Sequence, residues 1–343
     1  MKYILNETPI RTTESFGMNN IKIELTVPDS LNFHDYEIFE DSLLNIEVLN
    51  RNCFFSDIGL THDEYKELTV DIPNDIDISY KNTVIKYIFS SKDNLVDRII
   101  INVGKNSKAN ILLIYENNTN SSIFHNGEIV VNMGEGSNLN INYLNMVGKS
   151  SINIQSIKTN NLNNSKLNVN SFDLSGKLRI YRSNSDVYDN ARNELNNIYI
   201  GQSSDKIDMN FISNNLKPNA ESIINSEGLL KDSSCKSFKG TVDFKKGAKK
   251  SVGDVKENCT IISDTVISKS LPILLCGEED VIGSHSASSG KIDEEKIYYL
   301  TTRGFTLGEA KKMILISKFY NVISNLNEEY QNKVINFIES IEM

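Results

Sequence analysis

The residues able to do redox, metal or acid–base chemistry are few. There are four cysteines (Cys53, Cys235, Cys259, Cys276) and four histidines, and only His285 lies in the last two hundred residues. Thiolate and imidazole are soft or borderline ligands, so a cysteine–histidine pair would suit iron or a similar metal. The cysteine spacings match no zinc finger or ribbon, and four cysteines in 343 residues are too few for a disulfide framework. Most are expected to be reduced and buried, where free cysteine usually sits. Cys259 and His285 stand 26 residues apart, so they meet only if the chain coils with about that period. Without such a coil they are a buried thiol and a histidine satisfying backbone groups at a strand end.

Other chemistries find little support. No Gly-x-Ser-x-Gly elbow occurs, and Ser284-His285-Ser286 places hydroxyls beside the imidazole in sequence, which does not build a triad. No phosphate-binding loop and no Gly-x-Gly-x-x-Gly turn is present, so the chain is not expected to bind nucleotide itself. A net charge of −9 opposes binding to nucleic acid or an anionic membrane. The opening Met1–Glu7 has no apolar core of signal-peptide length, and no apolar run approaches membrane-spanning length. A cytoplasmic location is the expectation.

Three regions must position these groups. Residues 1–80 read as a mixed α/β segment that caps the strand-rich region after it. Ile21–Val27 alternates like a strand and stops at Pro28, Glu37–Val48 fits helix or strand, and 71–75 is a turn. Residues 81–283 change character: prolines vanish between Pro73 and Pro218, and nineteen asparagines fall within 101–170. Strand-length alternating runs recur at 98–103, 109–115, 128–133, 139–143, 152–157, 177–181, 206–211 and 240–244. They also repeat. Residues 102–111 (NVGKNSKANI) match 132–141 (NMGEGSNLNI) at an offset of thirty, and 127–134 is echoed at 240–247. Fixed-period similarity in strand-forming sequence predicts stacked coils, a β-helix or β-solenoid, ahead of a β-sandwich. Asparagine suits it, because it tolerates left-handed backbone at corners and can form amide ladders.

Residues 284–343 read as a helical domain. Asp293 is the expected N-cap of a helix over 294–302 that Gly304 ends, and Thr306–Glu309 is a capping box. The next helix sets the apolar residues Met313, Ile316, Tyr320, Ile323 and Leu326 at helical spacing, and the last one carries Tyr330, Val334, Phe337, Ile338 and Ile341 on one face; more than half of them are expected to pack onto the solenoid or each other. A solenoid needs both ends covered, and these helices are the expected cover for the C-terminal one.

The run from Pro272 to Gly304 resembles the SufB/SufD family of iron–sulfur cluster assembly scaffolds, and its SufD branch in particular. The matching residues are Pro272, Glu278-Glu279-Asp280-Val281, Ser284-His285-Ser286-Ala287-Ser288-Ser289-Gly290, Ile292-Asp293-Glu294-Glu295, Tyr298-Tyr299-Leu300 and Arg303-Gly304. Phe238-Lys239-Gly240-Thr241-Val242 and Gly247-Ala248-Lys249-Lys250 are similar to the family's last coils, and Pro9-Ile10-Arg11-Thr12 to an N-terminal SufD segment. The resemblance implies a mainly β fold: a β-helix core with a small N-terminal segment and a C-terminal helical domain. It implies a non-catalytic scaffold subunit that pairs with a SufB-like subunit, or with itself. It also implies docking of a SufC-like ABC-type ATPase through the C-terminal helices. No tightly bound cofactor is expected, only a transient iron–sulfur cluster at a subunit interface.

By the same resemblance His285 matches the SufD histidine implicated as a cluster ligand. Cys259 is a weaker candidate, because the SufB ligand cysteine aligns with Glu257, two residues earlier. Ser286 replaces the glutamate that follows the corresponding SufB histidine, and the chain has little room for the usual N-terminal helical domain; both points favour a SufD-like role. The alternatives are a SufB-like scaffold that holds the cluster itself and, more distantly, a β-helical polysaccharide-cleaving enzyme. The latter would need clustered carboxylates with a nearby cation, whereas the acidic residues here are scattered along the repeats.

Overall fold

Alternating apolar residues set at a period near thirty build two facing parallel sheets. In the computed structural model the described residues are 2–11, 16–28, 31, 34–39, 43–91, 93–119 and 121–343. The strands begin with β1 (Lys2–Leu5), β2 (Ile21–Glu24), β3 (Glu37–Phe39), β4 (Asn45–Phe55), β5 (Thr61–Ile72) and β6 (Asp77–Phe89). Regular coils follow with β7 (Asn94–Val103), β8 (Lys108–Asn117), β9 (Phe124–Met133), β10 (Asn138–Met146), β11 (Ile152–Asn161), β12 (Lys166–Ser175) and β13 (Leu178–Val187). They continue through β14 (Arg192–Gly201), β15 (Lys206–Asn215), β16 (Glu221–Leu230), β17 (Cys235–Phe244), β18 (Ser251–Ile261), β19 (Ile267–Cys276) and β20 (Val281–Gly290). Three helices close the chain: α1 (Glu294–Thr302), α2 (Leu307–Ile323) and α3 (Glu328–Glu339).

The first sheet runs β19-β17-β15-β13-β11-β9-β7-β5-β4 and the second β20-β18-β16-β14-β12-β10-β8-β6-β3. This is the expected β-solenoid. Asn102 pairs with Asn132 and Asn110 with Asn140, so the thirty-residue repeat seen in sequence is one coil. Asparagine plays both expected parts. Asn106, Asn164, Asn190 and Asn219 take positive φ at corners, where a short polar side chain tolerates left-handed backbone. On the outer face of the second sheet, Asn142, Asn170, Asn196 and Asn225 hydrogen-bond one to the next across four coils. Inside, Tyr87, Phe89, Tyr115, Tyr143, Tyr181, Phe211 and Phe238 form a column of ring contacts along the axis.

The boundaries differ from the sequence reading. Residue 80 lies within β6 and residue 283 within β20, so the solenoid reaches beyond both limits of the 81–283 span. β20 (VIGSHSASSG) is not legible as a strand because its inward row lacks the apolar alternation that marks a buried one. The N-terminal segment, read as mixed, forms strands and no α-helix among its described residues. β3 and β4 pair antiparallel onto β6 and β5 and close that end of the coil. The β1–β2 hairpin lies instead on the outside of the first sheet, with Leu5 and Leu25 clustered with Val96, Phe124, Ile154 and Ile180. Asn6 and the Lys239 ammonium both bond Asp208, at 2.6 Å each, which ties this strap to the coils. Pro9, Ile10 and Arg11 belong to the strap; Thr12 lies outside the described residues.

The helical caps are as predicted: Asp293 accepts from the Glu295 and Lys296 amides, and Thr306–Glu309 is a complete capping box. Their placement is not. Rather than plugging the C-terminal end, α2 and α3 pack along the outer face of the second sheet, against Leu112, Leu144, Phe172, Ile198, Ile200 and Leu229. The α2 residues buried there are Ala310, Ile314, Leu315, Phe319, Val322 and Ile323. Met313 and Tyr320 are exposed and Ile316 is half-buried, so the predicted stripe is rotated. α2 is apolar on more than one side, and the aromatic and branched side chains of the sheet select which stripe docks. In α3, Tyr330, Val334 and Ile338 are buried as expected, Ile341 follows just beyond it, and Phe337 is half-buried. Among the described residues no helix is long and apolar enough to cross a membrane.

Candidate functional site at the open end of the solenoid

Because the helices lie on the flank, β19 and β20 end their sheets with no strand paired beyond them among the described residues. A parallel solenoid extends by adding strands at such edges, so these two carry unpaired backbone donors and acceptors. At the opposite end the edge strand β4 is interrupted where Cys53 takes φ +65, and the ladder skips that residue. The register is the same on both sides of the gap, so this is a local break in the ladder and not an inserted residue. The ten-residue strands of the C-terminal edge pair with the coil below them without such a break, although Pro272 removes one donor from β19.

Strand parity decides which side chains face the axis. In β18, Val255, Glu257 and Cys259 point inward and are buried, and their ladder partners in β20 are His285, Ala287 and Ser289. His285 therefore stands on an inward row that has no coil above it, and it is exposed. Leu274 meets the position of Gly283, and the Ser268 and Ser289 hydroxyls lie 2.9 Å apart, so β19 and β20 form the two lips of one opening. On the outside, Ser284 and Ser288 donate to Asp254 and Asn258, at 2.7 Å each, and fasten β20 to the coil below.

The condition for Cys259 and His285 to meet, a last coil of 26 residues, is not fulfilled. Coil length varies from 26 residues (Lys166 beside Arg192) to 32 (Cys235 beside Ile267), and the last coil takes thirty. Cys259 thus stacks on Ser289 while His285 stacks on Val255, four residues away along the strand, or roughly 13 Å. The two are not brought together. Only Cys259 of the four cysteines is buried; Cys235 is half-buried, and Cys53 and Cys276 are exposed. Burial pushes the Cys259 thiol up, with the Lys236 ammonium opposing it, so the thiol is held protonated under the floor of the opening.

That floor contains a network that sequence reasoning missed. The Glu257 carboxylate accepts from Lys236 Nζ at 2.6 Å and Tyr199 Oη at 2.5 Å through Oε1, and from Ser270 Oγ at 2.8 Å through Oε2. Lys236 and Glu257 are both fully buried. Burial and the adjacent carboxylate push the Tyr199 phenol well above its ordinary value, which keeps it a donor. Lys236 shares the inward parity of Phe238, and that parity is the signal in sequence that could have exposed it. A second buried network joins His125, Asp97 and Asn153, with Tyr36 and Tyr115 also donating to Asp97. Its histidine stands 28 residues from both Asp97 and Asn153, in stacked coils, so the cluster is invisible without the register.

The opening offers one accessible imidazole, a row of small hydroxyls and two unpaired strand edges. Among the described residues, no group of three or more His, Cys, Asp or Glu side chains is placed to hold a metal ion.

Residues 87–318 match the family model described as SUF system FeS cluster assembly, SufBD core domain. The iron–sulfur cluster assembly protein SufD of Bacillus subtilis is 30% identical over 121 residues, 35% of this chain and 28% of that protein. A SufBD family protein of Mycobacterium tuberculosis (strain ATCC 25618 / H37Rv) is 30% identical over 124 residues, 36% of this chain and 15% of that protein. One from Staphylococcus saprophyticus is 28% identical over 123 residues, 35% and 26% of the two chains. These matches span less than a third of the length of each of these relatives.

Proposed function

The chain belongs to the SufBD core family of iron–sulfur cluster assembly proteins, and from that premise we propose that it is a non-catalytic, SufD-like scaffold subunit of a cytoplasmic Suf assembly complex. It pairs with a SufB-like subunit through β19 and β20 and presents His285 to a nascent cluster at the junction. The observation that carries this reading is the open end itself: two edge strands with no strand paired beyond them among the described residues, and an exposed inward-row imidazole between them. Antiparallel edge pairing by a partner would satisfy the backbone and enclose His285.

One imidazole is a single ligand, and tetrahedral iron needs more. The remaining ligands come from the partner and from the sulfur being assembled, so the cluster is cargo of the pair. A SufB-like role is less well supported, because Glu257 is committed to three hydrogen bonds and the Cys259 thiol is protonated and covered. An ATPase of the SufC type docks on the helices, whose outward residues Tyr298, Tyr299, Leu307, Met313 and Tyr320 are exposed.

The test is co-purification with a SufB-like partner. Ile282 is 68% exposed beside the edge, and Ile282→Lys adds a charge of the kind natural edges use against pairing. The variant is expected to keep the solenoid's circular dichroism and lose the partner. Retention of the partner at the unmodified level overturns pairing through this end.

A further inference from the structure

A second concavity lies on the flank, between the N-terminal strap and the outer face of the first sheet. It measures about 640 Å³ and is lined by Arg11 and Lys22 from the strap side and by Lys206, Cys235 and Lys269 from the sheet side, with Ile4, Ile23 and Ile267 as apolar wall. The register explains the sheet side: Lys206, Cys235 and Ile267 are ladder neighbours in three successive coils, as are Asp208, Ser237 and Lys269. These side chains have outward parity and face the strap.

The charges do not cancel locally. Asp208 is neutralised by the buried Lys239, Glu7 pairs with Arg11, and the Lys236 ammonium turns inward to Glu257. Among the described residues, Lys22, Lys206 and Lys269 have no acidic side chain paired with them. Lys269 Nζ donates to the Phe16 carbonyl, which positions the ammonium without neutralising it. Burial pushes the Cys235 thiol up; Lys206 and Lys269 oppose that and Asp205 and Asp208 add to it, so both ammonium groups lie close to the cavity wall, and Asp205 and Asp208 are each paired, with Arg179 and Lys239. A chain with a net charge of −9 thus gathers, among its described residues, an excess of positive charge in one partly enclosed, partly apolar space. Concave sites that combine apolar walls with a few converging polar groups are where small ligands bind. Low-dielectric walls strengthen the attraction for the opposite charge.

We propose that this cavity binds a small organic anion, one that joins a phosphate, sulfonate or carboxylate head to an apolar body. The head sits between Lys206 and Lys269, and the body lies against Ile4, Ile23 and Ile267 under the strap. Occupancy holds the strap to the coils, because the ligand bridges the two. The site lies on the outer face and takes no residue from the inward row that carries His285, although Ile267 and Lys269 belong to β19, one of the two edge strands of the open end.

The test uses 8-anilinonaphthalene-1-sulfonate, a fluorescent anion of this class, with the full chain. Because the dye also adheres to exposed apolar helix faces, its position is read by alkylation of Cys235 with a neutral maleimide. A Cys53→Ser, Cys276→Ser background leaves Cys235 as the accessible thiol. The dye is expected to slow alkylation of Cys235 several-fold. In the Lys206→Gln, Lys269→Gln protein it should bind about tenfold more weakly and lose that protection, and the wild-type affinity should fall with added salt. Lys22→Gln, on the strap side, gives a second reading that leaves the sheet untouched and should weaken binding in the same direction. Unprotected Cys235 at saturating dye, or equal affinity in the lysine variants, overturns the proposal.

Discussion

His285 lies directly above Val255 in the last ladder of the second sheet, on the same inward row, yet Val255 is fully buried and His285 is exposed. One coil of difference converts a core position into an accessible one. Among the described residues no coil follows β20, so its inward row is left uncovered.

The floor beneath that row depends on a buried ion pair. Removing one member of such a pair strands the other charge without solvent, which typically costs about 3–5 kcal/mol. Lys236→Met and Glu257→Gln should each lower unfolding stability by amounts of that order, measured by urea denaturation. Lys236→Met combined with Glu257→Leu should cost less than the sum of the singles. Tyr199 is held in place by the absence of a side chain at Gly228, where a Cβ would fall 1.9 Å from the phenol ring. Gly228→Ala should therefore destabilise by roughly 1–3 kcal/mol through overpacking.

Acid should loosen the N-terminal end first. Burial lowers His62 from 6.5 to about 4, and its Nε2 accepts a 2.8 Å hydrogen bond from Asn126, which requires the neutral ring. The unfolded chain binds the proton more readily, so this contribution is complete above pH 6.5 and is lost as the pH falls towards 4. Partial exposure screens the effect to about 1–2 kcal/mol. Urea midpoints at about pH 7 and about pH 4.5, on either side of most of this window, should differ less in His62→Gln than in the wild type; an unchanged difference contradicts the assignment.

Docking on the helices predicts a separation of binding from stability. Tyr298 and Tyr299 are 72% and 57% exposed, and α1 buries none of its residues. Tyr298→Ala with Tyr299→Ala should change stability by less than about 0.5 kcal/mol while weakening an ATPase of the SufC type at least about tenfold, as expected for paired aromatic anchors. Equal affinity by surface-immobilised binding assay removes this face from the interface.

Much of this architecture is legible in sequence because strand alternation and a fixed repeat are local signals. Asn102 matches Asn132 in sequence and pairs with it in space. The caps at Asp293 and Thr306 are legible for the same reason, since capping involves neighbours in sequence. The features that are not legible depend on long-range register. A 26-residue coil would have paired Cys259 with His285, and a last coil of thirty residues separates them. The rotation of α2 and its place on the flank are set by the outer row of the second sheet, whose Phe172, Ile198 and Leu229 read in isolation as ordinary strand residues. The Lys236–Glu257 pair is hidden because its members lie on different sheets, 21 residues apart.

The most direct test concerns His285 within the assembled complex. Wild-type chain and His285→Ala should each be combined with a SufB-like subunit and a SufC-type ATPase, supplied anaerobically with iron and sulfide, and followed by visible absorption. Ser288→Ala, which alters a neighbouring hydroxyl on the outer face, serves as the control. The account predicts that both variants assemble into the complex, that Ser288→Ala forms cluster normally, and that His285→Ala forms cluster at a small fraction of the wild-type yield. Equal cluster formation by an intact His285→Ala complex would contradict it.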